Sequence, residues 1–169
     1  MHSAFDGGIA PEQGIDVDGK TSRVGTTMNT ESEWHEELTL ILDALNDAPL
    51  ECDGMTYAIS VVLTQAGIRH RCLLGYVRDK QTGNCVAPHF WIQLADGWIV
   101  DFRLRMWLGD EDRIPHGVFH PSSWPDLNYE GSYRERMDTI NPLVLEVMTE
   151  GKLSHVKVPR GFAEENPDV

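Results

Sequence analysis

The chain has 169 residues, 41% of them apolar and 24% charged, an ordinary globular mixture that is enough for one domain with a substantial core. Its net charge is −13, from 14 basic and 27 acidic residues, and a surface of that sign repels nucleic acid and anionic lipid as partners. No apolar run approaches the roughly 18 residues of a membrane span, and the N-terminus has no basic region followed by an apolar one, so the expectation is a soluble, cytoplasmic protein.

Residues 1–29 carry five glycines among scattered Asp, Ser and Thr without an apolar period, the composition of a flexible leader. Thr30 and Glu33 have the spacing of a capping box. Trp34, Leu38, Ile41, Leu42 and Leu45 then recur at helical intervals, predicting a helix over 31–46 that Asn46-Asp47-Ala48-Pro49 stops. A second helix is expected from Cys52 to Ala66. Met55, Ile59, Val62, Leu63 and Ala66 line one side of it, and Ala58 and Val61 keep the rest apolar, the pattern of a helix that starts near the surface and runs into the core. Gly67 is placed to end it.

Arg71 to Val77 reads as a mostly buried strand and residues 79–84 as a turn. The segments His89–Leu94 and Trp98–Phe102, joined by Ala95-Asp96-Gly97, read as a β-hairpin. Residues 109–133 are rich in Pro, Gly, Asp and aromatic side chains, which predicts an ordered, irregular loop over the core. Asn141-Pro142 opens an expected short helix ending before Gly151, Leu153 to Val158 is an expected last strand, and the chain from Gly161 reads as a loose tail. The organisation is therefore one domain over 30–160, between a leader at 1–29 and a tail at 161–169.

Three cysteines with no C-x-x-C spacing do not make a disulfide framework, so at least one thiol calls for another explanation. Cys52 stands where the buried helix begins, and the N–H groups of a helix start favour negative charge on sulfur. Glu51 and Asp53 oppose that charge, so a cationic partner is required, and an imidazolium is the usual one. His89 opens a strand whose alternation puts it on one face with Trp91 and Gln93.

Whether Asp101 joins His89 depends on the hairpin register. A two-residue Asp96-Gly97 turn pairs Ile92 with Asp101 and sends the carboxylate to the face opposite His89. A three-residue loop, Ala95-Asp96-Gly97, pairs Trp91 with Asp101 and leaves His89 diagonal to it on the same face, about 7–8 Å away at the backbone. Gly97 sits where that loop wants a left-handed residue, which favours the second register. Asp101 lies between Val100 and Phe102 in an apolar strand, and a buried carboxylate needs a partner: either the imidazole or one of Arg71, Arg103 and Arg105.

At these residues the chain resembles the transglutaminase-like superfamily over about residues 51–108. The resemblance runs through Cys52 at a helix start, Gly67-Ile68-Arg69-His70-Arg71 leading into a strand, His89-Phe90-Trp91, and Gly97-Trp98-Ile99-Val100-Asp101. Glu51 stands where the family often has glycine, and Met55 where it often has an aromatic residue. The resemblance implies an α+β fold with a papain-like core, N-terminal helices packed on an antiparallel β-sheet. It also implies a Cys52–His89–Asp101 triad that attacks an amide of a peptide or protein and forms a thioester, which water or an amine then resolves. The oxyanion hole would use the Cys52 N–H and one further donor, with Asn46, Trp91 and Gln93 as candidates. No cofactor and no metal are expected for this step.

The aromatic residues Trp107, Trp124 and Tyr129 are candidate cleft walls. Two other functions compete with the enzyme: a catalytically inactive protein-binding domain on the same fold, and a zinc module drawing on Cys52, Cys72, Cys85, His70 and His89. The zinc ligands lack paired spacing, and the His116/His120 interval falls among prolines and glycine.

Overall fold

The computed structural model describes residues 30–133 and 140–159. The leader, the Thr30 side chain of the expected capping box and the tail from Gly161 lie outside the described residues and side chains. Helix α1 spans Thr30–Leu42 and tightens into a 3-10 turn at Asp43–Leu45, so the first expected helix changes type before its end. Trp34, Leu38, Leu42 and Leu45 recur on one face and are buried, as the spacing predicts. Helix α2 spans Cys52–Ala66, with Cys52, Met55, Ala58, Ile59, Val62 and Leu63 among its buried residues and Gly67 as its cap.

Five strands follow: β1 (His70–Asp79), β2 (Cys85–Leu94), β3 (Ile99–Asp101), β4 (Gly117–Phe119) and β5 (Leu127–Tyr133). They form one sheet in the order β4-β3-β2-β1-β5, each neighbouring pair antiparallel. The short helix α3 (Leu104–Leu108) follows β3, and α4 (Pro142–Met148) is capped by the Asn141 side chain, which accepts from the Leu143 N–H. The molecule is thus α+β, with helices on an open antiparallel sheet. One core lies between α1, α2 and the sheet residues Ile92, Leu94, Val100 and Val118. Alternate residues of the same strands, Trp91, Ile99 and Phe119, form a second cluster with Tyr129 packed against it.

Two expectations fail. Residues 109–133 hold β4 and β5, the two edges of the sheet, rather than only irregular loop. β4 is three residues long between Pro115 and Pro121, and β5 carries Asn128, Glu130 and Ser132 with only Leu127 buried. β4 is too short to show an alternation, and β5 is polar because an edge strand meets solvent on one side, so neither carries the apolar alternation that reveals a central strand. Residues 153–158 form a 3-10 turn at Leu153–His155 instead of a strand, burying Leu153 and Val156 at a spacing of three. No described helix is long and apolar enough to cross a membrane.

Candidate active site

The hairpin register sets the geometry. Ile92 pairs with Val100 and Gln93 with Ile99, and the Leu94 N–H donates to the Trp98 carbonyl at 2.8 Å. This is the register of the three-residue loop, and Gly97 supplies the positive φ of 93° that it demands. Trp91 then lies opposite Asp101, and His89 and Asp101 share a face. Their side chains meet: His89 Nε2 lies 2.7 Å from Asp101 Oδ2, and both residues are buried, at 0% and 3% exposure.

Asp101 is satisfied on both oxygens. Oδ2 also accepts from the Tyr129 hydroxyl at 3.0 Å. Oδ1 accepts from the backbone N–H groups of Arg103 and Leu104 at 2.8 and 3.1 Å, where α3 begins. These donors meet the need of a buried carboxylate for partners. Burial, and then the charge and hydrogen bond of Asp101, push the Tyr129 pKa well above its ordinary value, so Tyr129 stays a neutral donor.

The carboxylate on Nε2 fixes the neutral His89 ring as the Nε2–H tautomer and leaves Nδ1 as a lone pair. Nδ1 is buried and makes no hydrogen bond among the described residues. The Cys52 thiol stands beside this ring, in electrostatic contact short of a formed hydrogen bond. Burial acts against the charged imidazolium and is the largest single influence on it. Asp101 and the Cys52 thiol together outweigh burial and raise the His89 pKa to about 9. A cationic ring next to a thiol is the arrangement that stabilises thiolate.

The start of α2 is held in place by Arg103. Its guanidinium donates to the carbonyls of Leu50 (2.6 Å), Asn46 (3.0 Å), Ala48 (3.0 Å) and Phe102 (2.9 Å) and to Asn46 Oδ1 (3.1 Å). A guanidinium has five N–H groups, so each has an acceptor. The backbone N–H of the same residue holds Asp101. Arg103 therefore fastens the loop just before Cys52 to the strand end that carries the acid.

Cys52 is 8% exposed and lines a cleft of about 610 Å³ with Glu51, Pro88, Phe90, Trp107 and Leu108. A larger cleft of about 770 Å³ has Glu51 in common with it and contains Asn46, Arg105, Met106 and His116, but no thiol. Of the two, only the smaller is lined by Cys52.

None of the three further oxyanion candidates lines the thiol's cleft. The Asn46 side chain is engaged by Arg103. Gln93 lines a separate depression with Arg69 and Gly97. Trp91 is buried, its ring stacked 6.1 Å behind His89 and packed on Tyr129. A Cβ on Gly131 would come within 2.4 Å of the Trp91 ring, so glycine there makes room for it. Of the candidate walls, Trp107 lines the cleft, whereas Trp124 packs on Phe119 and Tyr129 turns inward to Asp101.

Of the Arg71, Arg103 and Arg105 alternatives for Asp101, only Arg103 contacts it, and through its backbone. Neither Tyr129 nor the Arg103 clamp was visible as such in the sequence. Arg103 offered one signal, an arginine two residues after a buried aspartate; Tyr129 read only as a candidate cleft wall. Among the described residues no three His, Cys, Asp or Glu side chains gather as a metal site. Comparison with family models, with curated proteins and with solved structures finds no match to this chain.

Proposed function

We propose that this chain is a cysteine-nucleophile acyl-transfer enzyme of transglutaminase-like type, acting on an amide bond of a peptide or protein. The observation that carries the reading is the buried His89 ring, bonded through Nε2 to Asp101 and acted on by the Cys52 side chain. The Cys52 sulfur attacks the carbonyl carbon, forming a C–S bond and a tetrahedral oxyanion. The Cys52 N–H at the start of α2 lies on the nucleophile's own backbone and stabilises that oxygen, whereas the Gly54 and Met55 N–H groups of the same turn already donate to Asp53 Oδ1 and the Glu51 carbonyl. His89 delivers its proton to the amide nitrogen, the C–N bond breaks, and an amine leaves behind a thioester. Water or a second amine then attacks the thioester, gives its proton to His89, and expels the thiolate. Asp101 holds the ring in one tautomer throughout and keeps its charge.

The test is a stopped-flow experiment with 4-nitrophenyl acetate, whose activated ester acylates a reactive thiol without needing the native substrate. The expected result is a burst of one nitrophenolate per chain, an acetyl group on Cys52 by mass spectrometry, and loss of both in Cys52→Ala. A burst that survives Cys52→Ala, or acetylation confined to Cys85, would remove the reading.

A further inference from the structure

The cleft beside Cys52 is lined by two unlike groups of residues. Val86, Pro88 and Phe90 of β2 with Trp107 and Leu108 of α3 are apolar. Glu51 and Asp53 are acidic, and among the described residues no Lys, Arg or His lines the cleft. Trp107 is 53% exposed, a large apolar area left facing water at the mouth of a site that also holds a nucleophile. Exposed aromatic surface of this kind gains when a ligand covers it.

The wall is also fixed with respect to the thiol. α3 is only five residues long, yet its start is tied to Asp101 through the Arg103 and Leu104 N–H groups. The same carboxylate orients His89. One group therefore sets both the position of the base and the position of the helix that carries Trp107.

Resting on the enzyme reading above, we propose that the cleft selects an uncharged acyl group bearing an aromatic or large aliphatic side chain, seated against Trp107, Leu108 and Phe90, and rejects an anionic one. Glu51 and Asp53 supply the rejection: a carboxylate brought into a cleft lined by these two acids meets their repulsion. The apolar lining supplies the selection, because a ring seated against β2 and α3 is removed from water. The larger neighbouring cleft has no such character. Its lining mixes Asp43 and Asp110 with Arg103, Arg105 and His116.

The experiment uses the whole chain and three alkylating probes of different side group: iodoacetamide, N-phenethyl-iodoacetamide and N-carboxymethyl-iodoacetamide. In each reaction the Cys52 sulfur forms a bond to the methylene carbon and iodide leaves. Second-order rates at Cys52, Cys72 and Cys85 are read separately by mass spectrometry and normalised to those of N-acetylcysteine with the same probe. The phenethyl probe is expected to modify Cys52 about tenfold faster than iodoacetamide, as partial burial of one ring allows. The carboxymethyl probe is expected to be slower than iodoacetamide.

The phenethyl-to-iodoacetamide ratio, taken within each protein so that changes in thiol reactivity cancel, should fall to near unity in Trp107→Ala and recover in Trp107→Phe. A ratio near unity in the native chain, or an elevated one that survives Trp107→Ala, overturns the proposal. If Cys52 is fast but indifferent to side group, only this proposal falls. If Cys52 reacts with iodoacetamide no faster than Cys72 or Cys85, the enzyme reading falls and takes this one with it.

Discussion

Two aspartates are buried at strand ends of the same sheet, Asp79 at the close of β1 and Asp101 at the close of β3, with 0% and 3% exposure. Asp79 accepts from the Gln81 N–H (2.9 Å), the Thr82 hydroxyl (2.7 Å) and Arg113 Nη1 (2.8 Å). Arg113 in turn also pairs with Glu111 at 2.6 Å. The Thr82 hydrogen bond is the largest influence on Asp79. With Arg113 and Gln81 it prevails over burial and lowers the pKa to about 2. Asp101 is equally well supplied with donors, but one of them is a ring that titrates, whose other nitrogen has no hydrogen-bond partner among the described residues and on which Cys52 acts. A buried carboxylate is thus not in itself a sign of chemistry. The distinction lies in its partner: Arg113 is engaged by two acids and has nowhere to pass a proton, whereas His89 has a second nitrogen.

The largest expected effect separates the two by mutation. Asp101→Asn keeps the shape but offers Nε2 the wrong hydrogen-bonding group, and the acylation rate should fall by about 100-fold or more. Asp79→Asn should leave that rate within about twofold while lowering unfolding free energy in urea by about 1–3 kcal/mol, the cost of a broken buried hydrogen-bond set. Equal effects on rate would erase the distinction.

A smaller effect is expected from Tyr129→Phe, which removes one of the four donors to Asp101 and nothing from the cleft. A hydrogen bond to a charged group contributes about 1.5–3 kcal/mol, so stability should drop by an amount in that range. The rate should fall several-fold, far less than in Asp101→Asn.

The effects in pH dependence have opposite signs. The folded His89 pKa of about 9 lies above the unfolded value near 6.5, so its stabilisation is complete below pH about 6.5 and is lost as pH rises through about 9. The folded Asp79 pKa of about 2 lies below the unfolded value near 3.9, so its stabilisation is present above pH about 4 and is lost as pH falls toward about 2. Urea unfolding across pH should therefore show an alkaline decline that flattens in His89→Gln and an acid decline that flattens in Asp79→Asn.

Much of this was legible before any coordinates. The glycine at position 97 and the alternation of residues 89–94 contain enough information to choose a register, and the register puts Asp101 on the face of His89. Helix α2 was legible to the residue because its apolar pattern and its Gly67 cap are both local. What escaped depends on distant partners. β5 is polar because it is an edge, so Tyr129 looked like part of a loop rather than the third layer behind Asp101. Asn46 and Gln93 are polar residues near the site in sequence, but the direction of a side chain is decided by the elements packed on it. Arg103 takes up the first, and the second faces another depression. The Cys52 environment likewise depends on Arg103, four of whose five donors reach across more than fifty residues of sequence to the loop from Asn46 to Leu50.

The central claim is that His89 is held as a cation between Asp101 and Cys52. Titration of its ring by nitrogen-15 NMR, in the native chain and in Cys52→Ala, tests this most directly. The account predicts a native pKa raised to about 9 and a lower value when the thiol is removed. A native value at or below about 6.5, the ordinary one for histidine, and unchanged in Cys52→Ala, would contradict it.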